Sequence, residues 1–199
     1  MPGFVEEFMA AMGPEVTKQI SKNLGISQTV ANQVVPQIIP MIISGLKKQK
    51  DEYGGPARVD HILNKYGSAS VLDNLGALFS QKAKDESVDP RLGGLLGESG
   101  VQATNMIANQ FKLNPSVAAK LIPMLAPVVL GYLTRKRDTQ GVGSTGIAAL
   151  LDQNGDGSIL DDVAGFLMKG LLGGSGSQQA GNVLGSILGG LFGKKQKKA

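Results

Sequence analysis

The sequence predicts an all-α fold made of two copies of one helical unit. Apolar residues recur at helical spacing, as in Val16, Ile20 and Leu24. No segment keeps the two-residue alternation that is typical of a half-buried strand. Two long segments of the chain also align with each other without gaps, which indicates an internal repeat. Together these observations predict a tandem duplication packed into one domain.

The repeat is clearest in the longest predicted helix. Residues 20–51 align on residues 107–138, a spacing of 87 residues, with seven of 32 positions identical. Four prolines recur at matching positions of the two copies: Pro36 and Pro40, then Pro123 and Pro127. Because proline removes a backbone donor and clashes with the preceding turn, each long helix is expected to bend or to end early there.

The starts of the two long helices carry capping residues. Ser27 precedes the first and Asn114 the second, and both residue types accept hydrogen bonds from free N–H groups of the first turn. Pro115 fits the first helical position, where no N–H is needed. The basic clusters at 47–50 and 135–137 are expected just past the apolar helices, because cations favour helix C-termini.

A short turn-and-helix element follows each long helix. With a shift of one residue, 62–79 align on 150–167 at five of 18 identical positions. A third, shorter similarity aligns residues 92–97 with residues 184–189. The repeats predict a first helical unit at 1–90 and a second at 91–170 that contains an acidic loop. Residues 171–199 are predicted to form a Gly-rich linker, a glycine-spaced helix and a basic tail.

Composition and charge exclude several classes of function. The chain has no cysteine, which excludes disulfides, cysteine nucleophiles and thiolate metal sites. His61 is the one histidine, which excludes a multi-histidine metal site within one chain. The formal net charge is +4, and residues 194–198 alone carry four lysines, so the rest of the chain is neutral. Nucleic-acid binders usually carry a basic face, and this distribution disfavours a nucleic-acid partner.

The first 12 residues contain Glu6 and Glu7 and no basic segment, unlike a secretory signal. The longest apolar stretches, 34–46 and 121–133, are shorter than the ~20 residues that a membrane-spanning helix needs. A cytoplasmic protein without an integral membrane segment is therefore expected.

One segment carries ligand chemistry, the acidic loop at 152–162. Its candidate calcium ligands are Asp152, Asn154, Asp156, the carbonyl of Ser158, and Asp161 or Asp162. Oxygen ligands at loop positions 1, 3, 5 and 7, with Gly157 at position 6, are the first half of an EF-hand-like loop. The second half of the loop differs from an EF-hand, because Val163 occupies position 12, where an EF-hand has a bidentate Glu. Since Ca²⁺ takes six to eight oxygens in irregular geometry, one calcium ion is the predicted cofactor.

The same residues are also typical of a turn followed by a helix cap. Asp, Asn and Gly are common turn residues, and Ser158 with Asp161 resembles a capping box. The first copy keeps Gly67 but has the uncharged Asn64 and Ser68 at early ligand positions. The loop is therefore expected to fold without an ion, so any ion in the second copy would have a structural role.

Three motifs together resemble a known bacterial family. They are the proline-bearing run 121–131, the acidic run 151–162 and the glycine-spaced run 183–190. Their combination is similar to the family called "domain of unknown function 937", and the resemblance covers most of the chain. It implies a helical bacterial protein and implies no activity. The first copy departs from the family's pattern at 64–68, where the acidic loop is replaced.

Residues 20–32 also resemble a helix-turn-helix motif. A helix and a turn at Gly25 precede a second helix whose polar residues could face bases: Gln28, Thr29, Asn32 and Gln33. The second copy has Lys112 at the position of the glycine, and the second helix continues into an apolar segment that must be buried. DNA binding, helped by the tail lysines, is therefore an alternative function, and a plain helical hairpin is the simpler interpretation.

The C-terminal segment carries a glycine every four residues: Gly181, Gly185, Gly189 and Gly193. Small residues at this spacing let two helices approach closely, which favours self-association. The apolar residues between them, followed by the lysine tail, would also suit peripheral association with an anionic membrane. Packing of this helix on the rest of the chain is the third interpretation.

No combination of residues indicates an enzyme. Asp60 and His61 are neighbours in sequence, but no nucleophile or oxyanion motif accompanies them, and the glycine pairs lack the lysine and spacing of a phosphate loop. The sequence predicts no catalytic residue. It favours a non-enzymatic structural or interaction protein stabilised by one calcium ion.

Overall fold

The computed structural model describes residues 3–140, and every regular element among them is helical. The prediction of an all-α protein is confirmed. The six α-helices are α1 (Phe4–Leu24), α2 (Gln28–Tyr53), α3 (Gly55–Tyr66), α4 (Leu75–Lys84), α5 (Glu98–Phe111) and α6 (Pro115–Gln140). Two short 3-10 helices, Ala69–Asp73 and Leu92–Gly94, precede α4 and α5.

The first hairpin joins α1 to α2 through a glycine turn. Gly25 has the left-handed conformation (φ 66°), and its N–H donates to the carbonyl of Ser21, which ends α1. A side chain disfavours this conformation, and glycine has none. The hydroxyl of Ser27 accepts from the N–H of Val30 at 3.2 Å, so the predicted cap of α2 is confirmed.

The hairpin of α5 and α6 repeats this turn without a glycine. Lys112 adopts the left-handed conformation (φ 52°) and its N–H donates to the carbonyl of Ala108. Asn114 accepts from the N–H of Ser116 at 2.9 Å, and Pro115 is the first residue of α6. Both predicted features of this helix start are confirmed. The turn geometry therefore persists although Lys112 lacks the freedom of glycine.

The two long helices continue past their internal prolines, so of the two predicted outcomes, a bend or an early end, the early end is wrong. Each is 26 residues long and starts and ends 87 residues from its counterpart. A proline in a helix interior costs about 3 kcal/mol, and burial of apolar residues on nearly every side of these helices offsets it. The basic clusters 47–50 and 135–137 lie inside the last turns of α2 and α6 rather than past them. This corrects the predicted ends.

The two long helices form the centre of the core. They pack against each other, α1 packs on α2, and α5 packs on α6. Helix α3 contacts both long helices, while α4 lies against α1 and α6. One continuous apolar cluster joins residues from all six helices, from Phe4 to Leu133. On the predicted apolar face of α1, Val16 and Ile20 are buried and Leu24 is half-buried against the core.

Candidate functional site

The predicted ion site lies outside the described residues. This applies to Asp152, Asn154, Asp156, Ser158, Asp161 and Asp162, and equally to Gly181, Gly185, Gly189, Gly193 and the lysine tail. The calcium, self-association and membrane hypotheses therefore stay predictions. Among residues 3–140, no group of three or more His, Cys, Asp or Glu side chains is placed to hold a metal ion.

The described part does contain the aligned loop of the first copy, residues 64–73. Helix α3 ends at Tyr66, and Gly67 donates its N–H to the carbonyl of Leu63. The hydroxyls of Ser68 and Ser70 are hydrogen-bonded at 2.8 Å. Leu72 is buried in the core. This loop is thus held by hydrogen bonds and apolar packing, and Ser68 stands at the position where the second copy has Asp156.

The same loop packs closely on α6. A Cβ atom on Gly67 would lie 2.8 Å from the carbonyl oxygen of Leu130 and from Oγ1 of Thr134. On the other side of the contact, a Cβ on Gly131 would lie 2.7 Å from the carbonyl oxygen of Ser68. Both separations are shorter than a carbon atom tolerates. The two glycines therefore allow the loop and the helix to touch through their backbones.

Charged side chains fasten this region to α6 at two further points. A nitrogen of Arg135 lies 2.8 Å from a carboxylate oxygen of Asp73, at the end of the loop. Arg137 lies 3.1 Å from Asp60 on α3 and 2.8 Å from Asp138. The hydrogen bond to Asp138, with that to Asp60, raises the pKa of Arg137 above its usual value. The cluster predicted to favour a helix C-terminus thus also joins α6 to α3 and the loop.

The N-terminal half of α1 docks on α6. The ring of Tyr132 packs edge-on against Phe8 and Phe4, with ring centroids 5.3 Å and 5.8 Å away. The Tyr132 hydroxyl donates to Glu7 at 3.3 Å, and the ammonium of the buried Lys136 pairs with the same carboxylate. Burial, with the neighbouring charge of Glu7, raises the pKa of Tyr132. Aromatic packing and an ion pair therefore act together at this contact.

An equivalent contact joins the second half of the described chain to α2. The backbone of Leu95 and the side chain of Leu96 lie against Gly45. Gln49 donates to the carbonyl of Gly94 at 3.4 Å and accepts from Arg58 at 3.0 Å. Gln49 is 87 residues before Lys136, and Glu7 is 87 residues before Gly94. The two pairs are therefore separated by the same 87 residues as the aligned segments 20–51 and 107–138.

Sequence reasoning missed both of these contacts. The signal was present, because extending the alignment upstream at the same spacing matches Phe8 with Leu95 and Gly13 with Gly100. All four residues are buried. The low identity of this stretch hides the matching positions in the sequence.

The residues of the helix-turn-helix hypothesis lie at the start of α2. All four, Gln28, Thr29, Asn32 and Gln33, are exposed. Gln28 donates to Thr17 at 2.8 Å and to Asn32 at 3.2 Å. Gln28 and Asn32 line an open groove of about 480 Å³ against α1. Their exposure agrees with the hypothesis, and contact with DNA stays a prediction.

His61 lies on α3 and is exposed, next to Asp60, which is engaged with Arg137. By length and hydropathy alone, α2 and α6 are long and apolar enough to cross a membrane. In the fold, 67% and 72% of their most apolar windows are buried, as in the core helices of a globular domain. Other helices of the described chain cover most of both apolar windows.

Comparison with known proteins identifies one family. The family described as "Bacterial protein of unknown function (DUF937)" matches residues 6–137 and again residues 133–199. No curated protein and no solved structure matches the chain significantly. The resemblance indicated by the three motifs of the sequence is thereby confirmed.

Proposed function

The chain belongs to the bacterial family of unknown function DUF937, and from this premise we propose that it is a non-enzymatic structural or interaction protein. We propose further that it is a tandem duplication of one helical unit, and that the acidic loop of its second copy binds one structural calcium ion. Three observations support these proposals, on the repeat, on the charged residues and on the loop.

The duplication is supported by contacts at equivalent positions. Helices α2 and α6 have the same length, and their preceding turns are left-handed at Gly25 and Lys112, 87 residues apart. In each half, the segment before the turn docks on the long helix of the other half, through Lys136 and Glu7 in one case and Gln49 and Gly94 in the other. Such reciprocal docking is what two copies related by an approximate twofold axis would make.

The structural role is supported by ion pairs of the described residues. The ion pairs that join distant parts of the described chain are Lys136–Glu7, Arg137–Asp60 and Arg135–Asp73. Each connects α6 to a different element, so these charges serve to hold helices together. Each of these charged groups has its partner on another element of the fold, which supports a structural role.

The calcium site is supported by the comparison of the two loops. In the first copy, Asn64 and Ser68 align with Asp152 and Asp156 of the second. Four carboxylates within 152–162 would repel one another unless a cation neutralised them. A calcium ion would supply that charge and join the two ends of the loop. Its effect would be greater stability of the second unit.

Calorimetric titration with calcium tests the proposal. We expect heat at micromolar to millimolar calcium and a rise in melting temperature, worth about 2.7 kcal/mol at a calcium concentration 100 times Kd. The variant Asp152→Ala/Asp156→Ala should lose both effects. The matched variant Asn64→Ala/Ser68→Ala changes the aligned positions of the first copy and should keep both. Absence of heat at millimolar calcium would reduce the acidic loop to a turn and cap.

A further inference from the structure

The two long helices differ on one face. On α6, three residues at helical spacing are buried, and the loop 64–73 lies against the last two of them: Val128, Gly131 and Thr134. On α2, the residues at the equivalent positions are only half-buried: Met41, Ser44 and Lys47. We refer to these three α2 residues as the open face of α2. Within residues 34–52, these three are the positions at which α2 is less buried than α6, while Pro40, Gly45 and Lys48 are more buried than their equivalents. The loss of burial is therefore confined to this face.

We propose that residues 150–167 dock on the open face of α2, as residues 62–79 dock on α6. This inference rests on the duplication proposed above and is independent of calcium. It makes the second turn-and-helix element the missing reciprocal partner of the first. Each half of the chain would then cover the long helix of the other half twice, once before its hairpin and once after it.

The proposed occupant has the residues that the contact requires. Gly67, which lies against Leu130 and Thr134 of α6, aligns with Gly155. Leu72, which is buried, aligns with Leu160. The glycine and the core-filling leucine of the docking segment are therefore both present in the second copy. On the receiving helix Ser44 replaces Gly131, so the segment docks on α2 at a slightly larger separation than on α6.

Chain connectivity also permits the docking. Helix α2 ends at Tyr53, nine residues before the first docking segment begins at 62. Helix α6 ends at Gln140, ten residues before 150. Equivalent segments thus follow equivalent helix ends by nearly equal lengths of chain. A second turn-and-helix element has the same reach as the first.

Charge complementarity favours the same register. In the first docking contact, Asp73 pairs with Arg135. The residue aligned with Asp73 is Asp161, and the residue equivalent to Arg135 is Lys48. Among the residues that the structure describes, Lys48 has no carboxylate within 4.0 Å, unlike its neighbours Lys47 and Lys50. The docking predicts an ion pair between Lys48 and Asp161, which leaves Asp162 to complete the proposed ion site.

Cross-linking of engineered cysteines tests the docking, and the absence of native cysteine makes the chemistry specific. The test variant is Lys48→Cys/Asp161→Cys, treated with a short bismaleimide at low protein concentration in EDTA. The positive control is Asp73→Cys/Arg135→Cys, an ion pair of the described structure. The negative control is Asn32→Cys/Asp161→Cys, because Asn32 precedes Lys48 by 16 residues, about 24 Å along α2.

We expect the test pair to cross-link within one chain at least about tenfold faster than the negative control, because docking raises the effective concentration of one cysteine at the other. Equal rates for the test and negative pairs, with a fast positive control, would overturn the proposal. Cross-links between two chains would also overturn it, because the open face would then bind a second copy. Because EDTA removes calcium, the cross-linking result does not depend on whether the acidic loop binds calcium.

A second measurement uses the unmodified chain and needs no variant to fold. A water-soluble carbodiimide condenses a lysine with a carboxylate in contact with it, so peptide mapping should find an amide between Lys48 and Asp161. The Lys136–Glu7 pair of the described structure is the internal control. Recovery of the control amide without the Lys48–Asp161 amide would contradict the proposed register.

Discussion

Helices α2 and α6 are alike in length, in cap position and in the spacing of their prolines, yet they are packed differently. The backbone of the loop 64–73 touches α6 at Gly131, whereas α2 has Ser44 at the equivalent position. Ser44 has a hydroxyl that is buried without a hydrogen-bond partner in the described part of the chain. The two aligned helices thus share their length, cap position and proline spacing, while their side chains pack against different neighbours.

The largest expected difference between the halves is at a pair of buried glycines. A Cβ atom on Gly100 would lie far inside contact distance of the Pro90 carbonyl oxygen, whereas on Gly13 it would meet only the flexible end of Met9. Gly100→Ala should therefore reduce the free energy of unfolding by about 2–3 kcal/mol, as overpacking does. Gly13→Ala should change it by less than about 1 kcal/mol, since alanine also favours the helix.

Denaturant unfolding of the two variants beside the wild type measures this difference. Equal losses of stability would mean that the backbone contact of Gly100 with Pro90 is not a constraint of the fold. A stabilised Gly100→Ala variant would contradict the close approach of the two segments altogether.

The contact between the loop and α6 gives the next largest effect. Alanine at Gly131 would lie 2.7 Å from the carbonyl oxygen of Ser68 and 2.9 Å from Val71. We expect Gly131→Ala to cost about 1–2 kcal/mol, although Gly to Ala normally favours a helix by about 1 kcal/mol. The matched variant Ser44→Ala removes a buried hydroxyl without a described partner and introduces a better helix former, so it should leave the stability unchanged or raise it by up to about 1 kcal/mol.

The melting temperatures of these two variants decide whether the long helices differ as described. A loss at Gly131 with no loss at Ser44 supports the difference between the faces. If Gly131→Ala is as stable as the wild type, the loop does not press on α6 through its backbone.

Local signals predicted much of the fold, and long-range contacts account for most of what was missed. The caps at Ser27 and Asn114 were predictable because capping depends on residues a few positions away. The lengths of α2 and α6 were not, because tertiary packing decides whether a helix tolerates proline. The pair of Lys136 and Glu7 joins residues 129 positions apart and has no local signature.

The loop 64–73 could be predicted as the counterpart of the acidic loop, because the two segments align in the sequence. The alignment of 62–79 on 150–167 identified Gly67 and Asp73 as counterparts of acidic-loop residues. What the alignment could not indicate is what those residues contact, namely Thr134 and Arg135 on the helix of the other half. Spatial neighbours between copies depend on how the copies are arranged, and a repeat in sequence does not specify that arrangement.

The smallest predicted effect concerns the C-terminal end of α2. Burial alone would raise the pKa of Asp51, but hydrogen bonds and the charges of Lys47 and Lys50 outweigh it and lower the pKa below the usual value. A lowered pKa in the folded state means that the unfolded chain binds the proton more tightly. The carboxylate therefore stabilises the fold above about pH 4, the unfolded value, and the benefit is lost as the pH falls through the lower folded value.

Asp51→Asn should accordingly cost at most about 0.5 kcal/mol near neutral pH, because the Asp51 side chain is 44% exposed and solvent screens its charge. The difference from the wild type should shrink in high salt and disappear at strongly acidic pH. Glu52→Gln, one residue further along and outside the ion pairs of the described residues, is the matched control for loss of an acidic charge. A loss for Asp51→Asn that persisted unchanged in acid would mean that the side chain acts by packing rather than by charge, and the two lysines would then have another role at this end of the helix.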